Sequence, residues 1–217
     1  MREDGRTADA GHLALLEWQD VSDAILRGLV HALNNRLTAL SAFAELASVG
    51  EEEFAAARAL PAGLERIQRV GALFRVLATD GELPEAVELG AVLDDAAELH
   101  RHHSRVTAVP CEIMRAVPYV AVRAARRPLL RLLVLLLEAG QQFAQTHVRP
   151  HAVLRLVVEE PWITLALDEG TRSPGVLTLA ADCGADAEQA GAAVVIRLPS
   201  LQALRQRERA DATGERG

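Results

Sequence analysis

The chain has 217 residues, of which 50% are hydrophobic and only 3% aromatic, and its formal net charge is -7. This length suffices for one or two domains with a real core, and the acidic balance excludes a nucleic-acid partner held by bulk electrostatics. No signal peptide or membrane-spanning run is evident, and only two cysteines occur. We therefore expect a cytoplasmic protein with no membrane partner.

Two long amphipathic helices are predicted in the first part of the chain, after a segment (1–10) predicted to be disordered. The first runs from about Leu13 to Val49, and the second begins at the acidic run EEEF and is interrupted or restarted by Pro61. Both carry apolar residues at steps of three and four: Leu26, Leu29, Leu33, Leu37, Leu40, Phe43 and Ala47 in the first, and Leu64, Ile67, Val70, Phe74 and Leu77 in the second. A helical hairpin of residues 11–82 cannot bury both stripes alone. We therefore expect a homodimer that closes a four-helix bundle.

Residues 83–203 have a different pattern, which predicts a two-layer α/β sandwich and hence an α+β protein. VELGAVLDDAAELHRHH predicts an amphipathic helix, and RRPLLRLLVLLLEAGQQFA predicts a buried helix with Pro128 in its first turn. The predicted strands are VTAVPCEIM, PYVAVRAA, HAVLRLVVEE, WITLALDEG, GVLTLAAD and AAVVIRLPS. Helices on an antiparallel or mixed sheet form the two layers. The polar tail (204–217) is predicted to be disordered.

One face of the first helix carries side chains suited to chemistry. In LVHALNNRLTALSAFAEL, His31 lies two residues from a stripe leucine on either side, so it points away from the stripe. Asn35 at i+4 and Thr38 at i+7 share its face, with Asn34 at the edge. Each residue alone would suit a solvated surface, but the other exposed positions mostly use Arg and Glu. An imidazole, whose ordinary pKa is about 6.5, can accept a phosphoryl group, and an amide one turn further can position water or a phosphoryl oxygen.

The stretch VHALNNRLTALSAFAEL resembles the phosphoacceptor box of two-component sensor histidine kinases. The resemblance implies that His31 is the phosphoacceptor, and that Asn35 matches the residue implicated in water positioning for phosphatase activity. The hairpin resembles the dimerisation and phosphotransfer domain of that family. The order of the later elements resembles the ATP-binding domain, over roughly residues 20–201. The likeness is specific in the box and general elsewhere.

Several positions depart from the family pattern. The family has Asp or Glu directly after the histidine as a general base, whereas this chain has Ala32. The position of the asparagine that holds Mg²⁺ is Glu138. In the segment LDEGTRSPG, Asp168 and Gly170 match the start of the adenine-binding motif, but Arg172 replaces its second glycine. The glycine-rich lid is missing from the sequence.

These departures predict that the chain does not bind ATP, because the groups that would surround a triphosphate and its Mg²⁺ are lost. Among relatives, it is most similar to the bacterial histidine phosphotransferases, dimers with a degenerate kinase-like domain. They pass a phosphoryl group between receiver aspartates through one histidine. The resemblance thus implies a kinase-like phosphotransferase of a phosphorelay, in which His31 exchanges the group with a response-regulator receiver domain. The receiver would supply Mg²⁺, so no cofactor is expected here. Two alternatives stay open: a non-catalytic dimeric adaptor or pseudokinase that regulates a receiver or kinase, and a divergent sensor histidine kinase.

A histidine-rich segment, HRHHSR, follows the predicted third helix. His100, His102 and His103, with Cys111, raise the question of a metal site. Adjacent histidines at a helix end cannot all face one ion, and cationic side chains are favoured at helix C-termini. We therefore interpret the segment as a helix cap and expect no metal.

Overall fold

The computed structural model describes residues 4–48, 53–78, 83–104, 109–117 and 119–213. The N-terminal part is a helical hairpin of α1 (Asp4–Ser48) and α2 (Glu53–Ala78). Pro61 lies inside α2 at an exposed position, and the helix continues past it instead of restarting. The predicted end of the first helix, at about Val49, lies outside the described residues.

The C-terminal part combines helices with a mixed sheet, which confirms the α+β class. A five-stranded sheet has the order β2-β4-β5-β7-β6, in which only the β2–β4 pair is parallel, and β1 pairs with β3 in a separate two-stranded sheet. The elements, in chain order, are β1 (Glu85–Glu88), α3 (Leu89–Arg101), β2 (Cys111–Arg115), β3 (Ala121–Ala124), α4 (Arg126–Thr146), β4 (Ala152–Glu159), β5 (Trp162–Leu167), α5 (Pro174–Asp182), β6 (Asp186–Ala190), β7 (Ala193–Pro199) and α6 (Leu201–Thr213). Helix α4 is buried along most of its length, as its apolar pattern predicts.

One predicted strand is wrong. GVLTLAAD is not a strand but most of helix α5. Ser173 accepts a hydrogen bond from the backbone N–H of Val176 at 3.0 Å, and Pro174 occupies the first turn. A serine cap followed by proline starts a helix, and this local signal outweighs the strand propensity of the short apolar run. The edge strand next to β7 is instead the polar segment β6, which the sequence pattern did not indicate.

Both segments predicted to be disordered contain helix. Helix α1 begins at Asp4, inside the segment 1–10, and α6 reaches Thr213, inside the segment 204–217. The residues from Leu201 to Thr213 include no glycine and no proline, so nothing in the sequence stops a helix there.

The hairpin and the α/β part share one hydrophobic core. Residues of the hairpin are buried in the same cluster as α3, α4 and the sheet: Val21, Ile25, Leu29, Val70 and Leu73. Hydrogen bonds also connect the hairpin to the α/β part. Arg69 of α2 donates through Nε to Glu98 of α3 at 2.7 Å, and the backbone N–H of Gly175 donates to Glu17 of α1 at 2.8 Å.

The predicted apolar stripe of α1 is divided between two environments. Leu29 is fully buried within the single chain, and Leu40 packs against Gly63 of α2. Leu26, Val30 and Leu37 are 37%, 48% and 48% exposed, respectively. Successive members of this set lie four and seven positions apart, so they form one exposed apolar strip on α1. Part of the stripe therefore serves the core of the chain itself, and the remainder faces outward.

Candidate functional site

The polar face of α1 opens onto a cleft of about 490 Å³ between α1 and the C-terminal end of α3. Its lining includes His31, Asn35, Arg27, Arg36, Arg101 and His102. The first four come from α1 and the last two from the end of α3. The cleft is therefore built by both halves of the chain, with the predicted phosphoacceptor at its edge.

The close approach of α3 to α1 depends on Gly28. A Cβ atom at this position would fall well inside van der Waals distance of the His102 carbonyl oxygen. The backbone N–H of Ser104 also donates to the carbonyl oxygen of Ala24 at 3.2 Å. The end of α3 thus rests on the turn of α1 that precedes His31, because a glycine leaves room for it.

His31 and Asn35 contact each other as their spacing predicts. Asn35 Nδ2 donates to His31 Nε2 at 3.1 Å, and both side chains are exposed. This bond corresponds to the tautomer in which Nδ1 carries the proton and Nε2 carries the lone pair. Thr38 lies one turn further on the same helix, outside the cleft lining, and its hydroxyl donates to the carbonyl oxygen of Asn34 at 3.0 Å. The structure therefore brings Asn35 to His31 but commits the Thr38 hydroxyl to the helix backbone.

The cleft is cationic. No acidic side chain is found among the described residues that line it, and it contains Arg27, Arg36 and Arg101. The structure gives Arg27 and Arg36 no ion-pair partner among the described residues, and Arg101 makes only a long bond, 3.4 Å, from Nε to the carbonyl oxygen of Ala97. Three guanidinium groups beside an imidazole favour an anion of the size of a phosphoryl group.

His102 at the rim of the cleft has a lowered pKa. Burial lowers the pKa of His102 most, Glu98 opposes this, and the charges of Arg101 and Arg36 lower it further. His102 is therefore neutral at pH 7 and can donate or accept a hydrogen bond without adding charge.

Sequence reasoning did not connect the arginines or His102 with His31. Arg27 and Arg36 lie four residues before and five after His31, but a charged residue on an exposed helix is usually part of a solvated surface. Arg101 and His102 come from a distant element, and no local pattern links them to His31. Only the packing of α3 against α1 brings them together.

Glu138 does not line this cleft. It is buried beside α3, where it contacts His100 Nε2 at 2.9 Å and accepts from Gln142 Nε2 at 2.8 Å. Burial raises the pKa of Glu138, but the hydrogen bonds from His100 and Gln142 and the charge of His103 outweigh burial, so its pKa is lowered overall. Within the described parts of the chain, no group of three or more His, Cys, Asp and Glu side chains could hold a metal ion.

Asp168 and Gly170 are each in contact with other side chains. Asp168 is paired with Arg155 at 2.6 Å on the surface. A Cβ at Gly170 would lie 2.5 Å from Leu167 Cδ2, and one at Gly140 of α4 would lie 2.7 Å from Leu167 Cδ1, so the Leu167 side chain fills the space between the two glycines. The cleft of about 390 Å³ beside Asp168 is lined by neither Glu138 nor Gly170. The three positions therefore do not converge on a common cavity.

The start of α5 is also occupied by protein groups. The N-terminal N–H groups of a helix are a common place for a phosphate. Here the N–H of Gly175 bonds Glu17, and the N–H of Val176 bonds Ser173. Glu17 comes from α1, so the hairpin itself supplies the negative group at this helix end.

No protein-family model matches the chain, and no curated protein matches it in sequence. Solved structures similar to it include a mycobacterial sensor histidine kinase, MprB, with 17% identity over 54% of this chain and 98% of that chain and a TM-score of 0.43. A bacterial phosphotransferase has 13% identity over 83% of this chain and 96% of that chain, with a TM-score of 0.41. The histidine kinase domain of the E. coli osmosensor EnvZ has 12% identity over 56% and 92%, with a TM-score of 0.40. At these values the similarity carries no argument about function, which has to come from the residues of the cleft.

Proposed function

We propose that the protein is a histidine phosphotransfer protein of a two-component phosphorelay. His31 carries a phosphoryl group to or from the aspartate of a response-regulator receiver domain, without ATP. The observation that carries the proposal is the arrangement at the cleft. An exposed imidazole contacts an amide one turn further, beside three arginines and with no acidic neighbour among the described lining residues.

The chemistry follows from the tautomer of His31. When a phosphorylated receiver docks, the Nε2 lone pair attacks phosphorus, and the N–P bond forms as the P–O bond to the aspartate breaks. The electron pair of that bond leaves with the aspartate, which becomes a carboxylate. The Nδ1 proton stays on the ring during the attack and can pass to solvent afterwards. Asn35 must release Nε2 first, and its amide can then hold a phosphoryl oxygen or a water molecule.

Transfer of the phosphoryl group from His31 to the aspartate of a second receiver is the same step in reverse, so neither direction needs ATP. Three features support a protein without ATP binding: Glu138 is held by His100, Leu167 fills the space beside Gly170, and Glu17 occupies the start of α5. A receiver would provide the Mg²⁺ for its own acyl phosphate. This chain then contributes the histidine, the amide and the cationic cleft.

The exposed strip of Leu26, Val30 and Leu37 supports a homodimer through the hairpin. Apolar side chains in this arrangement are typical of a helix face that a second helix covers. The cleft with His31 lies on another side of α1, so a receiver could dock while the dimer is intact. No helix in the described parts of the chain is both long and apolar enough to cross a membrane. We propose a cytoplasmic dimer.

The test is transfer of label from a receiver phosphorylated with ³²P to the full-length protein. We expect acid-labile label on the wild-type protein and none on His31→Ala. His12→Ala is the matched control, since His12 is an exposed histidine of the same helix, and it should take label normally. His31→Ala protein that folds and still takes label at the wild-type rate would end the proposal. A parallel incubation with labelled Mg-ATP tests the kinase alternative, for which the wild-type protein would label itself.

The adaptor alternative has its own supporting observations. Ala32 supplies no acid or base next to His31, and Asn35 occupies Nε2. For an adaptor, the wild-type protein would bind a receiver through the cleft but take no label from any phosphorylated receiver. In that case Arg27 and Arg36 would serve as docking residues only.

A further inference from the structure

We propose that Arg101 and His102, at the C-terminal end of α3, form part of the phosphoryl-binding site of His31. The α/β part of the chain would then contribute side chains to the site, in addition to those of the helical hairpin. This inference rests on the proposed function for its substrate, a phosphoryl dianion. It also makes a statement about anion binding that can be tested without any transfer reaction.

The geometry provides the first argument. Arg101 and His102 line the same cleft as His31 and Asn35, although they belong to a different element. Arg101 is exposed and forms no ion pair with a carboxylate among the described residues. The nearby acid, Glu98, is already bonded by Arg69 at 2.7 Å. The guanidinium of Arg101 is therefore available to a ligand in the cleft.

Electrostatics provides the second argument. A phosphoryl group adds between about -1.5 and -2 charges at neutral pH, and an exposed helix face offers little to balance it. Arg27 and Arg36 supply two positive charges from α1, and Arg101 adds a third from the opposite wall. A planar guanidinium matches two phosphoryl oxygens at once, as an ammonium group cannot. Both walls of the cleft thus carry positive charge, which attracts a phosphoryl dianion.

His102 complements the arginines in a different way. Because burial and the neighbouring arginines lower its pKa, its imidazole stays neutral in the physiological range. A neutral imidazole can donate one N–H to a phosphoryl oxygen without adding to the repulsion among the three arginines when the cleft is empty. The groups that act on His102 are Glu98, Arg101 and Arg36, and only the first is acidic.

The two walls are held at a fixed separation. Gly28 allows the His102 carbonyl to rest on α1, and Ser104 bonds the Ala24 carbonyl. A site whose walls are fixed by backbone contacts binds its ligand without first having to order them. The docking of α3 therefore serves the cleft as well as the core.

The first experiment uses inorganic phosphate as the probe. The ring signals of His31 and His102 in the isotope-labelled full-length protein are followed by NMR during a phosphate titration at constant ionic strength. We expect both to shift together, and Arg101→Ala to weaken phosphate binding about tenfold. The matched control is Arg155→Ala, which removes the same charge from an exposed position outside the cleft and should leave binding unchanged. Arg101→Lys should restore part of the affinity, because it keeps the charge but loses the planar fork.

The second experiment repeats receiver-to-protein label transfer with the same variants. We expect transfer to slow about tenfold or more in Arg101→Ala and to be normal in Arg155→Ala. If phosphate leaves the His31 and His102 signals unmoved, or if Arg101→Ala binds phosphate as the wild type does, the inference is wrong even where transfer works. If phosphate binds in an Arg101-dependent way but no receiver ever transfers label, the anion site stands and the proposed phosphorelay function fails.

Discussion

The contact between Gly28 and the end of α3 allows a sharp test of how the two halves are docked. In Gly28→Ala, the added Cβ would overlap the His102 carbonyl oxygen. The Cβ is attached directly to the backbone of α1 and the oxygen is a backbone atom, so no side-chain rotation can relieve the overlap. Restoring an ordinary contact requires the two elements to separate by roughly 2 Å. Overpacking of this kind costs about 1–3 kcal/mol. Alanine is the better helix former by up to about 1 kcal/mol, which partly offsets the loss.

The matched control is Gly71→Ala in α2, where an added Cβ has no neighbour within 4 Å. It gains the helix propensity without the clash, so it should be as stable as the wild type or up to about 1 kcal/mol more stable. The difference in free energy of unfolding between the two variants should therefore be about 1–3 kcal/mol, measured by urea unfolding with equal m-values.

Transfer of label should also separate the two variants. A displacement of the α3 end by roughly 2 Å moves Arg101 and His102 away from His31, and misplacement on this scale commonly costs a hundredfold in rate, so we expect about tenfold to a hundredfold slower transfer in Gly28→Ala. Gly71→Ala should transfer normally. Equal stability of the two variants would refute the proposed docking of α3 on α1. Reduced stability with a normal transfer rate would instead show that docking matters for folding alone.

Two further predictions address the dimer and the buried carboxylate. Leu37 is exposed in a single chain, but Leu37→Asp would bury an unpaired charge in the predicted bundle, so light scattering should show monomers. The control Leu13→Asp changes an equally exposed leucine outside the strip and should stay dimeric. A wild-type protein that is monomeric at micromolar concentration would contradict the bundle. Because the pKa of Glu138 lies below its ordinary value of 4.5, the folded state gains stability from it above pH 4.5 and loses that stability as the pH falls through the lowered pKa. The free energy of unfolding should therefore fall less steeply in acid for Glu138→Gln than for the wild type or for the exposed control Glu112→Gln, and identical slopes in all three proteins would exclude this role for Glu138.

Much of the local structure was predictable from the sequence. The repeat of apolar residues at three and four determines that α1 is a helix with an apolar side, and the same repeat places His31 and Asn35 together on the opposite side. The nearly continuous apolar run of α4, with Pro128 in the first turn, determines a buried helix. These features were predictable because helix periodicity acts over a few residues, whatever the rest of the chain does.

Short segments were harder to predict, because their local signals compete. GVLTLAAD has the composition of a strand, but the preceding Ser173 and Pro174 cap a helix, and the contacts of α5 with α1 and α4 favour that outcome. The polar strand β6 carries almost no strand signal of its own. It is a strand because the turn at Gly191, which has a positive φ of 63°, returns the chain alongside β7.

The sequence by itself therefore determined the helices α1 to α4, the α+β class and the pair of His31 with Asn35, all of which depend on residues close together in the chain. Only the tertiary structure decided that Leu29 is buried within the chain while Leu37 faces outward, because the α/β part covers one side of α1 and leaves the other open. It also decided the candidate site, since Arg101 lines the cleft of His31 only because α3 ends against Gly28. Contacts between distant elements depend on how whole surfaces fit together, and no periodicity in one segment encodes them.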